Sequence, residues 1–282
     1  MSYLLKSFRE RLIQLHHCRN MSWKRIYTLL KADPDLHALN RPLQKIVTDF
    51  HSHSIQQTIH QYATLGIQTI TYFDPAYPSL LKEIYQPPWV LYAKGDLSFL
   101  QEQRKLAIVG SRYPTVYSKQ VMIAMMTKLV HERVVIVSGL AKGVDAIAHR
   151  TADEHNGKTI AIIAGGFKHI YPKENILLAD KITRSHLLLS EYPPDTKPLK
   201  WHFPMRNRII SGLSRGTLVV EAKRKSGSLI TAHLALQEGR DVFAVPGSIF
   251  SPTSFGPNDL IKQGAKPVLC ATDILEEWEY YP

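Results

Sequence analysis

Residues 201–233 read WHFPMRNRIISGLSRGTLVVEAKRKSGSLITAH. Pro204 predicts a helix start, because proline fits the first helical position, where its missing N–H is no loss. Gly216–Glu221 predicts a short buried strand, and Ser226–Ser228 predicts the start of the next helix. A buried strand, a turn of small residues and a helix N-terminus together form an anion site built from backbone N–H groups. The stretch therefore predicts a phosphate site.

Basic residues concentrate in and beside this stretch. Residues 197–225 hold eight basic side chains and a single acid, Glu221, in a chain whose formal net charge is +11. Arg206 and Arg208 are expected in the first turn of the helix, where the macrodipole favours anions. Lys223–Lys225 fill the predicted turn. A run of charged residues commonly forms a solvated surface that aids solubility. Here the basic residues lie at the predicted turn and helix starts, which favours a polyanion partner.

Apolar runs followed by small or charged residues recur along the chain and alternate with helical patterns. The runs lie at 106–109, 134–137, 159–164, 187–189, 218–220 and 242–245. Fully apolar strands alternating with helices predict an α/β fold, in which helices cover both faces of a parallel sheet. Ligands bind such sheets beyond the carboxyl ends of the strands, where the strand order reverses. We therefore expect one composite groove at that edge.

The part of the chain before this sheet is expected to form two smaller units. In residues 1–65, apolar positions such as Leu4, Leu5 and Phe8 recur at helical spacing, Ser22 is placed to cap a second helix, and Pro42 to start a third. This pattern predicts a small all-helical module. Residues 66–104 are expected to be a connecting extension, and residues 105–282 the main domain.

Composition narrows the class of protein. The chain has 282 residues, of which 44% are apolar, so it can bury a sizeable core. Its two cysteines provide neither a disulfide framework nor a metal cluster, which is typical of a reducing cytoplasm. The thirteen histidines fall into no HExxH pattern, and no run approaches 18 apolar residues. We expect a cytoplasmic protein without a metal site or a membrane span.

Sequence motifs for nucleotide cofactors and for catalysis are missing or incomplete. A dinucleotide site needs GxGxxG after the first strand and an acid after the second, but the strands end in Gly110–Arg112 and Ser138-Gly139. Asp145 and His149 lie at i and i+4 on a predicted helix, where they form either an acid–base pair or a structural brace. Glu191 and Glu221 either act as general bases or orient arginine and lysine side chains. We expect no cofactor and no catalysis.

The order of the motifs resembles that of the DNA-processing protein A family, also called Smf, over about residues 70–270. The segments that carry the resemblance include Tyr77-Pro78, Gly110–Arg112, Ser138-Gly139, Gly143–Asp145, Tyr171-Pro172, Ser190–Tyr192, Phe203–Ile210, Ser226–Thr231 and Val245–Gly247. The resemblance is weak over residues 1–65, where members of the family often carry a helical module like the sterile alpha motif. Ser118 stands where the family usually has glycine.

The resemblance implies an extended Rossmann-like domain that binds single-stranded DNA without catalysis. It also implies a homodimer that protects incoming DNA and helps to load the RecA recombinase during natural transformation. By motif position, the residues implied to line the DNA groove are Gly110, Ser111, Arg112, Ser138, Gly139, Lys173, Arg206, Asn207 and Arg208. To these the phosphate-site reasoning adds Lys223, Lys225, Ser226, Gly227 and Ser228.

Three questions stay open at this stage. Tyr113, Phe167, Tyr171 and Phe203 either stack on bases or pack in the core. A nucleotide-processing enzyme related to phosphoribohydrolases is an alternative, although its PGGxGT-type loop is incomplete here, with Glu221 as its candidate acid. A scaffold whose basic face meets an acidic protein is another. Self-association is expected around residues 234–236 and 260–261.

Overall fold

The computed structural model describes residues 7–40 and 49–280. The predictions made at Leu4, Leu5 and Pro42 lie outside these ranges. Within them the helices are α1 (Phe8–His16), α2 (Trp23–Ala32), α3 (His53–His60), α4 (Ser79–Lys82), α5 (Val116–His131), α6 (Val144–Glu154), α7 (Ile176–Ser185), α8 (His202–Leu213), α9 (Gly227–Gln237), α10 (Phe255–Lys262) and α11 (Thr272–Tyr280). None of them is long and apolar enough to cross a membrane.

The strands of the described residues form one sheet. They are β1 (Gln68–Thr71), β2 (Val90–Gly95), β3 (Lys105–Val109), β4 (Val135–Ser138), β5 (Thr159–Ile163), β6 (Leu187–Ser190), β7 (Gly216–Val219), β8 (Asp241–Ala244) and β9 (Lys266–Pro267). Their spatial order is β1-β2-β6-β5-β4-β3-β7-β8-β9. The strands from β6 to β9 in this order pair in parallel, which confirms the predicted parallel sheet. The edge strands β1 and β2 pair antiparallel.

Helices cover both faces of the sheet, as predicted. Along β3 the side chains alternate, so that Ala107 and Val109 face one apolar cluster while Leu106 and Ile108 face another. The first cluster contains apolar residues of α8 and α9, and the second contains those of α5, α6 and α11. Since both faces of the central strands are buried, their sequences are continuously apolar and do not alternate between apolar and polar residues.

The N-terminal helices pack against the antiparallel edge of the sheet. Leu12, Ile26 and Phe50 share one apolar cluster with Val90 and Tyr92 of β2. Ser22 accepts a hydrogen bond from the backbone N–H of Arg25 and caps α2, as its sequence position predicted. Through β1 and β2, the predicted extension forms part of the same sheet as the main domain. The domain boundaries at 65 and 104 stay predictions.

Candidate nucleic-acid interface

The strand order reverses at β3, which lies between β4 and β7. The chain runs from β3 outward through β4, β5 and β6, returns over the sheet along α8, and continues outward through β7, β8 and β9. The loops that follow β3 and β7 therefore diverge at their carboxyl ends and leave a crevice between them. This crevice is where the sequence predicted a groove.

The crevice is a groove of about 530 Å³. Its walls come from the loop after β3, the loop before α6, the first turns of α8 and the turn that leads into α9. The lining residues that the sequence had singled out are Gly110, Ser111, Arg112, Arg206, Asn207, Lys223, Lys225, Ser226, Gly227 and Ser228. The fold thus gathers most of the predicted site residues on one surface, although they come from segments more than 100 residues apart.

The turn between β7 and α9 forms one wall of the groove. Ser226 caps α9 by accepting a hydrogen bond from the N–H of Ser228 at 3.2 Å. Gly227 is the first helical residue and is exposed in the groove. The side-chain amide of Asn207 donates to the carbonyl of Gly227 at 3.3 Å and ties the turn to α8. With Lys223 and Lys225 both exposed, this helix start combines fixed N–H donors with mobile cations.

The loop after β3 forms the opposite wall. Gly110 packs so closely on α6 that an added Cβ would lie 2.7 Å from a methyl carbon of Val144. The carbonyl of Ser111 accepts the backbone N–H of Val144 at 3.0 Å and holds the loop against the start of that helix. The next residue, Arg112, is exposed and lines the groove. Any side chain at 110 would force Val144 or the loop to shift, which explains the glycine at this position.

Arg206 lies at the base of the groove, where it braces the surrounding loops. Helix α8 begins at His202, so Arg206 lies in the second turn and not in the first turn that Pro204 predicted. Only 5% of Arg206 is exposed, and its guanidinium donates to the carbonyls of Gly139 and Ile162. Burial lowers the pKa of Arg206 to about 10, which Asp145 nearby opposes. The side chain is therefore a structural cation whose edge borders the groove.

Asp145 completes this brace and has no contact with His149. It accepts the N–H of Gly139 at 3.1 Å and of Ala141 at 3.4 Å. The N–H of Gly139, which the sequence analysis assigned to the DNA groove, is thus already used inside the protein. Burial raises the pKa of Asp145, although Arg206 and the two amides oppose that rise. The expectation that Asp145 and His149 pair with each other is wrong, because each forms its hydrogen bonds with other residues.

His149 instead pairs with a threonine in the interior. Its Nδ1 lies 2.6 Å from the hydroxyl of Thr159, whose own proton is donated to the carbonyl of Ile136. The histidine must therefore donate from Nδ1, and its buried Nε2 has no partner among the described residues. Burial lowers the pKa of His149 to about 3. This side chain is neutral and inaccessible to a substrate.

Four predicted site residues lie outside the groove lining, namely Gly139 and the three that follow. Arg208 is 4% exposed and forms a buried ion pair with Glu191, so in this structure it faces the interior. Ser138 is fully buried and donates to the carbonyl of Ile108 at 2.6 Å. Lys173 is exposed in a 3₁₀ turn. That turn is held beside the groove, because Asn175 donates to the carbonyl of Ala141 at 3.2 Å.

Glu221 follows β7 by two residues and fixes the start of α5. It accepts hydrogen bonds from the backbone N–H and hydroxyl of Thr115 and from the hydroxyls of Ser118 and Thr253. Burial would raise the pKa of Glu221, but these hydrogen bonds bring it below its usual value. The expectation that Glu221 orients arginine or lysine side chains is wrong, whereas the same expectation for Glu191 is confirmed by its pairing with Arg208.

The aromatic residues beside the groove divide into two groups. Tyr113 and Phe203 line the groove, and Tyr171, 56% exposed, meets the ring of Phe203 edge-on at 5.7 Å. Phe167 instead packs against two apolar clusters away from the groove. The sequence analysis missed Lys142, whose ammonium lies 5.4 Å from the ring centre of Tyr113. Its position in the loop after β4, at the same edge of the sheet, was the available signal.

The chain is similar in sequence to known proteins over most of its length. The family model for DNA recombination-mediator protein A matches residues 68–279. The DNA processing protein DprA of Bacillus subtilis is 51% identical over 259 residues, which is 88% of this chain and 87% of that protein. The protein of the same name from Streptococcus pneumoniae is 50% identical over 207 residues, which is 73% of both chains.

Two solved structures are similar to this fold. DNA processing protein A of Streptococcus pneumoniae superposes with a TM-score of 0.79 at 39% identity, covering 95% of this chain and 96% of that one. DNA processing protein A of Helicobacter pylori gives a TM-score of 0.68 at 32% identity, covering 76% of this chain and 96% of that one. The latter structure is described as giving insight into a unique single-stranded DNA binding mode of that protein.

Proposed function

Since the chain belongs to the DNA recombination-mediator protein A family, we propose that it binds single-stranded DNA along the groove between the carboxyl ends of β3 and β7. The observation that carries the proposal is the pairing of exposed cations on facing walls. Arg112 lies on one wall, and Lys223 and Lys225 lie on the other beside the open N-terminus of α9. A phosphodiester chain is the ligand that such a row of cations and N–H donors suits.

The residues that line the groove are proposed to bind different parts of the DNA strand. Arg112, Lys223 and Lys225 neutralise phosphates, while the N–H of Gly227 at the start of α9 binds a phosphate oxygen. Tyr113 and Phe203 offer ring faces to the bases. Stacking of this kind requires exposed bases, and a duplex sequesters them, so the groove is expected to favour single strands.

The predicted site residues that lie beneath the surface support the groove without touching DNA. Arg206 and Asp145 hold the loop at Gly139 from two sides. Arg208 stabilises the region through Glu191. Binding is proposed to be non-catalytic, because Glu221, the acid of the enzyme alternative, is held by the hydroxyls and N–H at the start of α5. No observation in the described residues favours the enzyme.

The test compares a fluorescent oligo-dT strand with a duplex of the same length at several salt concentrations. Tighter binding of the single strand, with affinity that falls steeply as salt rises, is expected from counterion release. Equal affinity for both forms, or an affinity independent of salt, overturns the proposal. Release of free base from nucleoside monophosphates, abolished in Glu221→Gln, would favour the enzyme instead.

We further propose that the protein acts as a homodimer that protects incoming DNA and helps to load the RecA recombinase in natural transformation. The family description as a recombination mediator supports this role. Of the segments expected to self-associate, Leu236 is 50% exposed, whereas Leu260 is buried in the core. Analytical ultracentrifugation tests the dimer. The DNA-dependent ATPase activity of RecA on strands coated with single-strand binding protein tests loading, and no acceleration by this chain refutes it.

A further inference from the structure

A second cavity, of about 510 Å³, lies between the N-terminal helices and the start of α8. The cavity is lined by residues of the helical module, of the segment before β2, of the loop after β6 and of the start of α8. These residues are His16–Cys18, Asn20–Lys24, Ile26, Gln86, Trp89, Glu191–Pro193, Thr196, Trp201, His202 and Met205. None of the site residues predicted from the sequence belongs to it. The cavity is comparable in volume to the groove. Apart from Glu191 and the start of α8, it is assembled from parts of the chain that the DNA-binding proposal does not use.

Flat rings line this cavity on both sides. On the side of the helical module, Trp23 is stacked on Trp89 with ring centres 5.2 Å apart. On the side of the main domain, Tyr192 is stacked on His202 at 3.9 Å. Trp201 meets His202 edge-on and is 58% exposed, although tryptophan is ordinarily well buried. An exposed ring beside stacked rings offers a face to another planar group.

The chemistry of the lining suits a neutral planar ring better than an anion. Burial lowers the pKa of His16 to about 3 and that of His17 to about 4, so both are neutral at physiological pH. The charged residues in the described lining are Lys24, exposed at the rim, and Glu191, whose Oε1 is paired with Arg208. The other carboxylate oxygen of Glu191 is buried without a partner among the described residues.

The cavity and the groove share a wall. In the first turn of α8, Phe203 and Pro204 line the groove, while Trp201, His202 and Met205 line the cavity. The two sites lie on different sides of the same turn, and a helix with its side chains is about 10–12 Å across. A strand advances about 3.4 Å per nucleotide even when its bases are stacked, so about three or four nucleotides are enough to pass from the groove over the start of α8 to the cavity.

We propose that this cavity holds a nucleobase of the strand that leaves the groove over the start of α8. The base stacks on Trp201 and is enclosed by the rings of Trp23 and Tyr192, while Lys24 at the rim neutralises a phosphate. The inference rests on the proposed binding of single-stranded DNA, and it makes the N-terminal module part of the DNA-binding surface.

The test uses oligo-dT strands from about 4 to about 16 nucleotides, the range of known single-strand sites. The affinity of the unaltered protein is expected to rise in a step at the length that reaches the cavity. Trp201→Ala should remove that step and weaken binding of longer strands about tenfold, while binding of the shortest strands is unchanged. Trp201→Phe, which keeps a ring, should restore most of the step.

Controls separate this inference from the proposed function. Leu199→Ala changes a residue that is 51% exposed near Trp201 but outside the cavity lining, and it should keep the step. Arg112→Ala should lower affinity at every length. If Trp201→Ala behaves as the unaltered protein, or weakens all lengths equally, the cavity inference is wrong while the groove proposal stands. If the unaltered protein binds no strand of any length, the proposed function itself has failed.

A last experiment tests whether the cavity binds a base of the DNA strand or a free nucleotide. Stacking on Trp201 changes its fluorescence, so the difference in signal between the unaltered protein and Trp201→Phe reports on the cavity. Strands long enough to reach it are expected to quench this signal, and thymidine monophosphate is not. Quenching by thymidine monophosphate without a length step overturns the assignment to a strand.

Discussion

Replacing Gly227 by valine tests the groove without altering its charge. An added Cβ at Gly227 would meet no protein atom within 4 Å, and the residue has no positive φ, so valine fits the backbone without strain. Valine also has a slightly better helix propensity than glycine. The folded protein should therefore lose no stability. The new methyl groups would project into open space at the start of α9, where a phosphate oxygen is proposed to lie.

The expected loss follows from the contacts that valine would block. The N–H of Ser228 is capped by Ser226, and that of Leu229 donates to the carbonyl of Ser226. The proposed phosphate contact is therefore the N–H of Gly227, which has no acceptor within the helix, and a hydrogen bond to a charged group contributes about 1.5–3 kcal/mol. Losing one such bond weakens binding by about 10- to 150-fold. Because Gly227→Val removes no cation, the dependence of log K on log salt should keep its slope.

The assay is fluorescence anisotropy with a labelled oligo-dT strand at several salt concentrations, beside thermal unfolding of each variant. Gly227→Ala should show an intermediate loss of affinity. Lys225→Ala is the matched control, because it removes a charge from the same turn and should reduce the salt slope by about 0.7. Affinity of Gly227→Val equal to that of the unaltered protein would refute phosphate binding at the start of α9.

Three further predictions follow from the same geometry. Arg112→Ala should reduce the salt slope by about 0.7 and change the free energy of unfolding by less than about 0.5 kcal/mol; an unchanged slope in the binding titration would remove Arg112 from the groove. Arg208→Ala leaves Glu191 buried without its partner, so denaturant titration should show a loss of about 3–5 kcal/mol, and the folded fraction should bind DNA normally; a loss of affinity with full stability would contradict its internal role. In the unfolded state His149 binds a proton with the usual pKa of 6.5, whereas in the folded protein its pKa is about 3. The free energy of unfolding therefore decreases as the pH falls from 6.5 towards 3. At pH 5 the loss is about 2 kcal/mol, and urea titrations of His149→Gln at pH 7 and pH 5 should show a correspondingly smaller change; an equal change in both proteins would contradict the assignment.

The sequence predicted the central sheet well because its strands are marked by burial on both faces. The runs at 106–109 and 134–137 match β3 and β4 to within a residue at each end, and Ser226 caps α9 at its expected position. The pairing of β2 with β6, which adds β1 and β2 to the sheet, could not be predicted from the sequence. The two strands lie some ninety residues apart in the chain, so no local pattern links them. Local sequence patterns predict individual helices and strands, but they do not predict which strands pair with each other.

The candidate site was predicted in its location but not in the roles of its charged residues. The sequence shows that Arg206 and Arg208 are basic, but it does not show that carbonyls and a carboxylate surround them. Glu221 was expected to meet cations, whereas it meets hydroxyls at the start of α5 because Thr115 and Ser118 come from a loop and helix that follow a different strand. Such partners become visible only when the fold brings distant segments together.

The division between buried and exposed cations determines how the groove responds to salt. Arg206 and Arg208 are balanced internally by Asp145 and Glu191, so their charges contribute little to the field outside. Among the described residues, Arg112, Lys223 and Lys225 take part in no ion pair, so their charge on the groove is uncompensated until an anion binds. Salt screens exposed charges far more than buried pairs. Raising the ionic strength should therefore release DNA while the fold that shapes the groove keeps its stability.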